Sequence, residues 1–529
     1  MTSAGPAVTG LAVRLLRRGT LVVTGVVAGL SALVAMQYRS LYGDAFDAGS
    51  LQALAENPAI RTLFGRPVAL DDPGGFTVWR TGTFVAVLVG VWSLMAATRI
   101  TRGEEDAGRL ELLLAGRLRL SSLVAGNLAV LVAAVLVVGA ALAAAMVATG
   151  TAAAGSLLYG AAAALIGVGF AAVGTLAAQL VPERRAAAGS AVAVLGASLL
   201  LRMVADGADT LDWLHWLSPF GLLARVQPYA ADRAVPLLVL ALASAALVVA
   251  AVAGASGRDL GAGRIPVRHG HPPRTRLLRS LAGFAVRRAL RPVAGWAVGL
   301  GAYFLLIGLL ARSLTRFLSD NPRYAELAAQ AGFADLGTVE GYVASLFTLV
   351  AVPVGLFAAS RLAADEADEL ARRFTLLFAA PVARTRWARV EVGVVGAGCL
   401  VLAVAAGLAA WAGTSAVGAG LGLWPALAGV LNSVPVALLS LGAALLALGW
   451  LPQAVMPVGA LPTVGGFLLQ TLAESFGWPH WVLWLSPFTH LNTVPAQPPD
   501  WAGTAGILAV AAAFAVAGAV GYARRDLRG

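Results

Sequence analysis

Twelve long apolar stretches constrain this chain more than any other feature. Each approaches the ~20 residues that an α-helix needs to cross a bilayer. They fall at about 20–37, 78–98, 122–148, 153–180, 187–205 and 234–255, then at about 293–311, 340–360, 389–413, 421–450, 454–472 and 502–522. Of the 529 residues, 12% are charged, about half the fraction of a soluble domain. The expected fold is all-α and polytopic, with about twelve transmembrane helices. The stretches at 122–148, 153–180 and 421–450 have length to spare for tilt or an interfacial turn. Arg14, Arg17 and Arg18 precede a full-length apolar stretch, so no cleavable leader is expected.

The charge that remains is one-sided in kind. The net charge is +11, and every basic residue is Arg; the chain has no Lys. A phosphate-binding loop of the Gly-x-x-x-x-Gly-Lys type therefore cannot exist here. If ATP and Mg drive this protein, a separate subunit binds them, and this chain is expected to hold no cofactor of its own. With the N-terminus inside, 28 of the 38 Arg residues fall on the cytoplasmic side and 10 outside. That bias predicts a multi-pass protein of the cell membrane with both termini cytoplasmic. Arg spread over many loops does not make a nucleic-acid patch. The single Cys399 can form no intramolecular disulfide. His269 and His271 lack further ligands nearby, so no metal site is expected.

The two halves repeat. Trp213, Trp216, Ser218, Pro219 and Phe220 recur 268 residues later as Trp481, Trp484, Ser486, Pro487 and Phe488. Pro182, Gly189 and Gly196 recur as Pro452, Gly459 and Gly466, and Asn57–Pro58 as Asn321–Pro322. The expected organisation is a six-span repeat over 1–255, a basic linker over 256–292 with Pro266, Pro272 and Pro273, and a second six-span repeat over 293–529. An even span count makes the repeats parallel, related by an axis along the membrane normal, with a substrate path between them. The repeated Trp-x-x-Trp-Leu-Ser-Pro-Phe element reads as an interfacial or re-entrant anchor. Asp212, His215 and Ser218 suggest a hydrolytic triad, but the second copy has His480 and Leu483 at the first two positions, so no catalytic residue is expected. Arg202, Asp206, Arg361, Glu391 and Glu474 fall near span ends. The span centres thus lack the carboxylates that a proton-coupled carrier uses.

One charged segment also occurs twice, between the second and third spans of each half. The first copy runs from Arg99 through Glu104, Glu105, Asp106, Arg109 and Glu111. The second runs from Arg361 through Asp365, Glu366, Asp368, Glu369, Arg372 and Arg373. Glu105 and Arg109 are four apart, as are Glu369 and Arg373, which predicts a pair on one helical face in each. Leu110, Leu113 and Leu114, and Leu370, Phe374, Leu377 and Phe378, predict an apolar stripe along a short surface helix.

The acidic cluster, Arg, Leu-rich run and small-Pro-small-x-Arg sequence between spans two and three resemble the permease of type-2 ABC exporters. The whole layout is similar to the fused, double-length permeases of actinobacterial drug and polyketide-antibiotic exporters, tetronasin-type systems among them. The resemblance implies that Glu104–Arg119 and Asp365–Arg386 are coupling helices docking on two ABC ATPase subunits, a homodimer or a heterodimer. It assigns docking to Glu104, Glu105, Arg109, Glu111, Arg117, Arg119, Asp368, Glu369, Arg373, Pro381 and Arg384. It places a substrate path along the second and fifth spans of each half, at Phe84, Trp92, Met95, Leu195, Leu199, Phe347, Phe357, Val464, Phe467 and Leu468. Such a lining suits drugs, antibiotics or lipids. The copies differ: Pro381 has no counterpart in the first, and Thr375 stands where the first has Glu111. The implied function is ATP-driven export of hydrophobic or amphipathic compounds by a transport subunit that is not itself an enzyme. A proton-coupled secondary transporter, or a membrane scaffold that does not transport, are the alternatives.

Overall fold

The fold comes from a computed structural model, and the structure describes residues 4–41, 61–62, 65–116, 118–265, 275, 277–322, 337–476 and 478–525. Among these residues all regular elements are helical. Twelve helices are long and apolar enough to span a membrane. In the first half they are α1 (Thr9–Tyr38), α2 (Pro73–Asp106), α3 (Leu120–Ala148), α4 (Ala153–Leu180), α5 (Arg184–Gly207) and α6 (Ala234–Ala255). In the second they are α7 (Leu281–Asp320), α8 (Val339–Leu370), α9 (Arg384–Ala416), α10 (Leu423–Trp450), α11 (Pro452–Thr471) and α12 (Trp501–Arg524). The expected all-α polytopic fold is therefore what the chain adopts. Several starts have a local cause. Asp72 accepts from the amides of Gly74 and Gly75 ahead of α2, where Pro73 opens the first turn. Asp500 caps α12 in the same way through Ala502 and Gly503.

The chain divides into two compact units, Met1–His271 and Pro272–Gly529. In the first, α4 is the hub: it packs on α2, α3 and α6. In the second, α10 is the hub, against α8 and α12, while α7 packs on α9. Lipid tails are as apolar as Leu, so such packing depends on close approach through small residues. A methyl group on Gly139 of α3 would lie 2.4 Å from the Gly160 carbonyl oxygen on α4. Gly139→Leu is accordingly expected to lower stability by about 1–3 kcal/mol through overpacking, read as a lower melting temperature in detergent.

Two expectations about extent change. The first and seventh spans, expected at 20–37 and 293–311, are far longer helices that carry Arg14, Arg17, Arg18, Arg287, Arg288 and Arg291 within them. Helix formation needs no apolar side chain, so the helix runs on past the hydrophobic stretch. Part of the segment expected as a linker is folded. Residues 256–265 return to α4, where the amides of Arg264 and Ile265 donate to the carbonyls of Gln179 and Leu180. Residues 281–292 belong to α7, capped by Ser280. His269, His271, Pro266, Pro272 and Pro273, and Asn57–Pro58, lie outside the described residues.

The Trp element forms short helices in both units. Asp209–Leu217 is a 3₁₀ helix, followed by a helix Pro219–Val226 that Ser218 caps through Gly221. In the second unit a turn at His480–Leu483 precedes a 3₁₀ helix Pro487–His490. Trp213, Trp216, Trp481 and Trp484 are exposed, as residues at a water–lipid boundary are. His215 Nε2 lies 3.0 Å from Asp206 Oδ1, and Arg202 pairs with the other oxygen of Asp206 at 2.5 Å. Ser218 Oγ instead donates to the Ser198 carbonyl at 2.6 Å, so the three triad-like residues do not form a relay. Outside the spans, Asp209 accepts from Arg61 and lies beside Arg66, which hold its carboxyl below the usual carboxylate range.

Candidate functional site: the paired acid–arginine clasps

The twice-used charged segment is not a continuous surface helix. In the first copy α2 widens into a π turn at Arg99–Gly103 and stops after Asp106. Gly108 then takes a left-handed backbone (φ +71°), and a new helix runs over Arg109–Leu114. The second copy does the same with an unfavourable residue. Arg372, the counterpart of Gly108, is left-handed (φ +56°), and the following helix is Thr375–Ala379.

This break corrects the expected ion pairs. A spacing of four brings side chains together only while the helix continues. The left-handed residue swings the following Arg back by one position. Arg109 thus makes a two-pronged contact with Glu104, at 2.6 and 2.7 Å, and not with Glu105. The contact raises the Arg109 guanidinium above its ordinary pKa. Arg373 Nη1 donates to Asp368 at 3.0 Å and not to Glu369.

Glu105 is free for a second partner, and finds it beyond α6. Arg258 donates from Nη1 and Nη2 to its two oxygens at 2.9 and 2.7 Å. Arg102 pairs with it at 2.8 Å, and the Gly261 amide donates at 2.6 Å. The Arg102 and Arg258 side chains are only 0% and 2% exposed, so this is an interior ion cluster. Arg102 also donates to the carbonyls of Ala178 and Ala262. The Arg184 amide donates to Asp106 at 3.1 Å. The segment is thereby fixed to the ends of α4, α5 and α6 together.

The second unit uses the same clasp. Arg525, at the end of α12, donates to Glu369 at 2.5 Å. It occupies the position of Arg258 one repeat later. Arg384 at the start of α9 donates to the Arg525 carbonyl at 2.5 Å. A second cluster has no match in the first unit. Arg288 of α7 donates to Asp365 at 2.6 Å and Asp368 at 2.7 Å, and lies 3.8 Å from Glu391 of α9. Arg361 donates to Glu391 at 3.1 Å. Phe284, Phe374 and Trp387 surround the Arg288 guanidinium at 5.2 to 5.9 Å.

The residues singled out from sequence divide sharply. Glu104, Glu105, Asp368 and Glu369 face inward onto arginines. Arg109, Glu111, Arg119, Arg373 and Pro381 are exposed, while Arg384 is half-buried and Arg117 lies outside the described residues. Leu110 and Phe374 are buried and Leu113, Leu114, Leu377 and Phe378 half-buried, so the apolar stripes lie where they were expected except at Leu370, which is 54% exposed; Leu112, off the stripe, is 81% exposed. Of the path residues, Leu195, Phe347 and Phe357 are buried in helix packing, and Phe84, Met95 and Leu468 are exposed. Trp92, Leu199, Val464 and Phe467 are half-buried. The sequence-based set omitted Arg102, Arg258, Arg288 and Arg525. The signal for Arg258 and Arg525 was present: each closely follows the last span of its half.

Known proteins match this chain over most of its length. The family model described as Multidrug efflux system permease Rv1217c, C-terminal domain, matches residues 6–255 and 278–523. The multidrug efflux system permease protein Rv1217c of Mycobacterium tuberculosis (strain ATCC 25618 / H37Rv) is 33% identical over 499 residues, which cover 91% of this chain and 87% of that protein. The chain belongs to the family of multidrug efflux system permeases that this model describes.

Proposed function

We propose that this chain is the membrane-spanning permease subunit of an ATP-driven, type-2 ABC exporter of the double-length drug and antibiotic class. It moves hydrophobic or amphipathic compounds out of the cell, and two copies of a separate ATPase subunit, binding ATP and Mg, energise it from the cytoplasmic face. Both termini are cytoplasmic in this reading. The two six-span repeats, 1–255 and 293–529, each contribute one coupling element.

The duplicated clasp carries the proposal. In each unit a short helix after the second span is fixed to the end of the sixth span by a buried carboxylate–arginine contact. A load on such an element reaches several spans at once, which a freely jointed loop would not transmit. The buried acids hold the element in place, and the exposed residues beside them meet the partner: Glu111, Leu112 and Arg119 in the first copy, Leu370, Arg373 and Pro381 in the second. The absence of any Lys for a phosphate-binding loop supports a separate ATPase.

The test is co-purification with candidate ABC ATPase subunits co-expressed with the permease, together with ATP-dependent efflux from inverted vesicles. Leu112→Arg is expected to reduce complex formation at least about 10-fold, because a charge placed in an apolar contact is desolvated without a partner. It should leave the melting temperature unchanged, since Leu112 touches little within the chain. Full complex formation by this variant would remove the docking assignment. Efflux driven by a proton gradient without ATP would replace the exporter reading by the antiporter.

A further inference from the structure

The first unit holds a cleft of about 900 Å³ where the start of α1, the end of α2 and the start of α5 meet. Five arginines line it: Arg14, Arg17 and Arg18 from α1, Arg99 from α2 and Arg184 from α5. No carboxylate is among its lining residues. Among the described residues, none of the five guanidinium groups takes part in an ion pair or hydrogen bond with the protein. The nearest acids are already engaged. Glu104 is held by Arg109, and Asp106 accepts from the Arg184 amide. The cleft is not polar throughout, because Leu15, Trp92 and Met95 form an apolar wall beside the arginines.

The second unit shows how this chain neutralises the corresponding place when it uses its own residues. Ala12–Val13–Arg14 and Arg18 of α1 correspond to Ala285–Val286–Arg287 and Arg291 of α7 in the repeat, which sets Leu15 opposite Arg288. Arg288 is enclosed by Asp365, Asp368 and Glu391. The first-unit counterparts of Asp365 and Glu391 are Thr101 and Asn127. Asn127 donates to the Ile100 carbonyl, and Thr101 to the Ala97 carbonyl, so neither faces an arginine. The first unit keeps Arg14 and Arg18, adds Arg17, Arg99 and Arg184, and has uncharged Thr101 and Asn127 in place of two of the three carboxylates.

We propose that this cleft binds a phosphate-bearing amphiphile, namely the headgroup of an anionic phospholipid from the adjoining leaflet. All five arginines lie at one end of their spans, at the depth where headgroups sit. Guanidinium forks match phosphate oxygens in geometry and charge. The wall of Leu15, Trp92 and Met95 receives the glycerol and the first methylenes of the chain. The proposal rests on the membrane-spanning fold alone and is independent of coupling to an ATPase.

The test uses the full chain in nanodiscs containing phosphatidylglycerol or phosphatidylcholine, with retained lipid counted by native mass spectrometry after detergent washing. Phosphatidylglycerol should be retained selectively. The triple variant Arg17→Gln, Arg18→Gln, Arg99→Gln should weaken retention about 100-fold, since each basic side chain near a headgroup contributes about 5-fold. The corresponding triple Lys variant should keep most of it, which separates loss of charge from loss of fold. A control triple Gln variant at Arg372, Arg386 and Arg389 should bind as the unchanged protein does. Equal retention by the Gln variant, or no preference for phosphatidylglycerol over phosphatidylcholine, would overturn the proposal. Displacement of the lipid by inorganic phosphate at comparable concentration would also overturn it, and would assign the cleft to a free anion.

Discussion

Glu105→Ala is expected to destabilise the first unit by about 3–5 kcal/mol, the usual consequence of removing one partner of a buried ion pair. The effect is large because Glu105 is the shared anion of two cations. Arg102 and Arg258 are almost wholly buried, and no other carboxylate contacts either of them among the described residues. Their charges would remain inside with only backbone carbonyls and the neutral Gln179 side chain as acceptors. The Gly261 amide would also lose its acceptor. A thermal melt monitored by size exclusion in detergent should fall by about 10 °C. Arg109→Ala is the internal comparison: it removes an ion pair in the same segment whose arginine is 58% exposed, and should change stability by less than about 1 kcal/mol. Similar melts for Glu105→Ala and Arg109→Ala would mean that the clasp does not hold the segment. Glu369→Ala should fall between them, since among the described residues Glu369 pairs with Arg525 alone.

The second large effect is expected at Arg288. Replacing it with Met keeps a long unbranched side chain among Phe284, Phe374 and Trp387 but removes the charge that Asp365, Asp368 and Glu391 share. Arg361 and Arg373 would then serve three carboxylates, each at most 7% exposed. The loss should again be about 3–5 kcal/mol, read as lower yield of monodisperse protein and a lower melt. Adding Asp365→Asn removes one of the orphaned charges and should recover part of the loss, a coupling of about 1–3 kcal/mol between residues in one network. If the double variant melts lower than Arg288→Met by the full cost of Asp365→Asn alone, the two residues act independently and the cluster is not a unit. The same pair of changes also bears on the difference between the halves, because the first unit already has Thr101 and Asn127 where the second has Asp365 and Glu391.

Sequence by itself determined the architecture. A bilayer offers an exposed backbone no hydrogen-bond partner, so twelve apolar stretches of sufficient length leave the chain almost no alternative to twelve helices. The repeat was equally legible, because its Trp, Pro and Gly landmarks are anchors and turns whose roles are local. So was the position of the duplicated charged segment, between the second and third spans of each half. What only the tertiary structure decided was which charges meet. The period of a helix suggested Glu105 with Arg109 and Glu369 with Arg373, but one left-handed residue in each copy, Gly108 and Arg372, ended the helix and shifted both pairs. The resemblance assigns Glu105 to docking, a role that needs an exposed side chain. Glu105 lies inside because Arg258, 153 residues along the chain, is brought beside it by the packing of α6. The same holds for Arg288 and Asp365, which share one cluster only because α7 and α8 adjoin. Periodicity reports the neighbours of a residue along its own helix. The partner of a buried charge usually lies on another helix, and no pattern within one segment contains it.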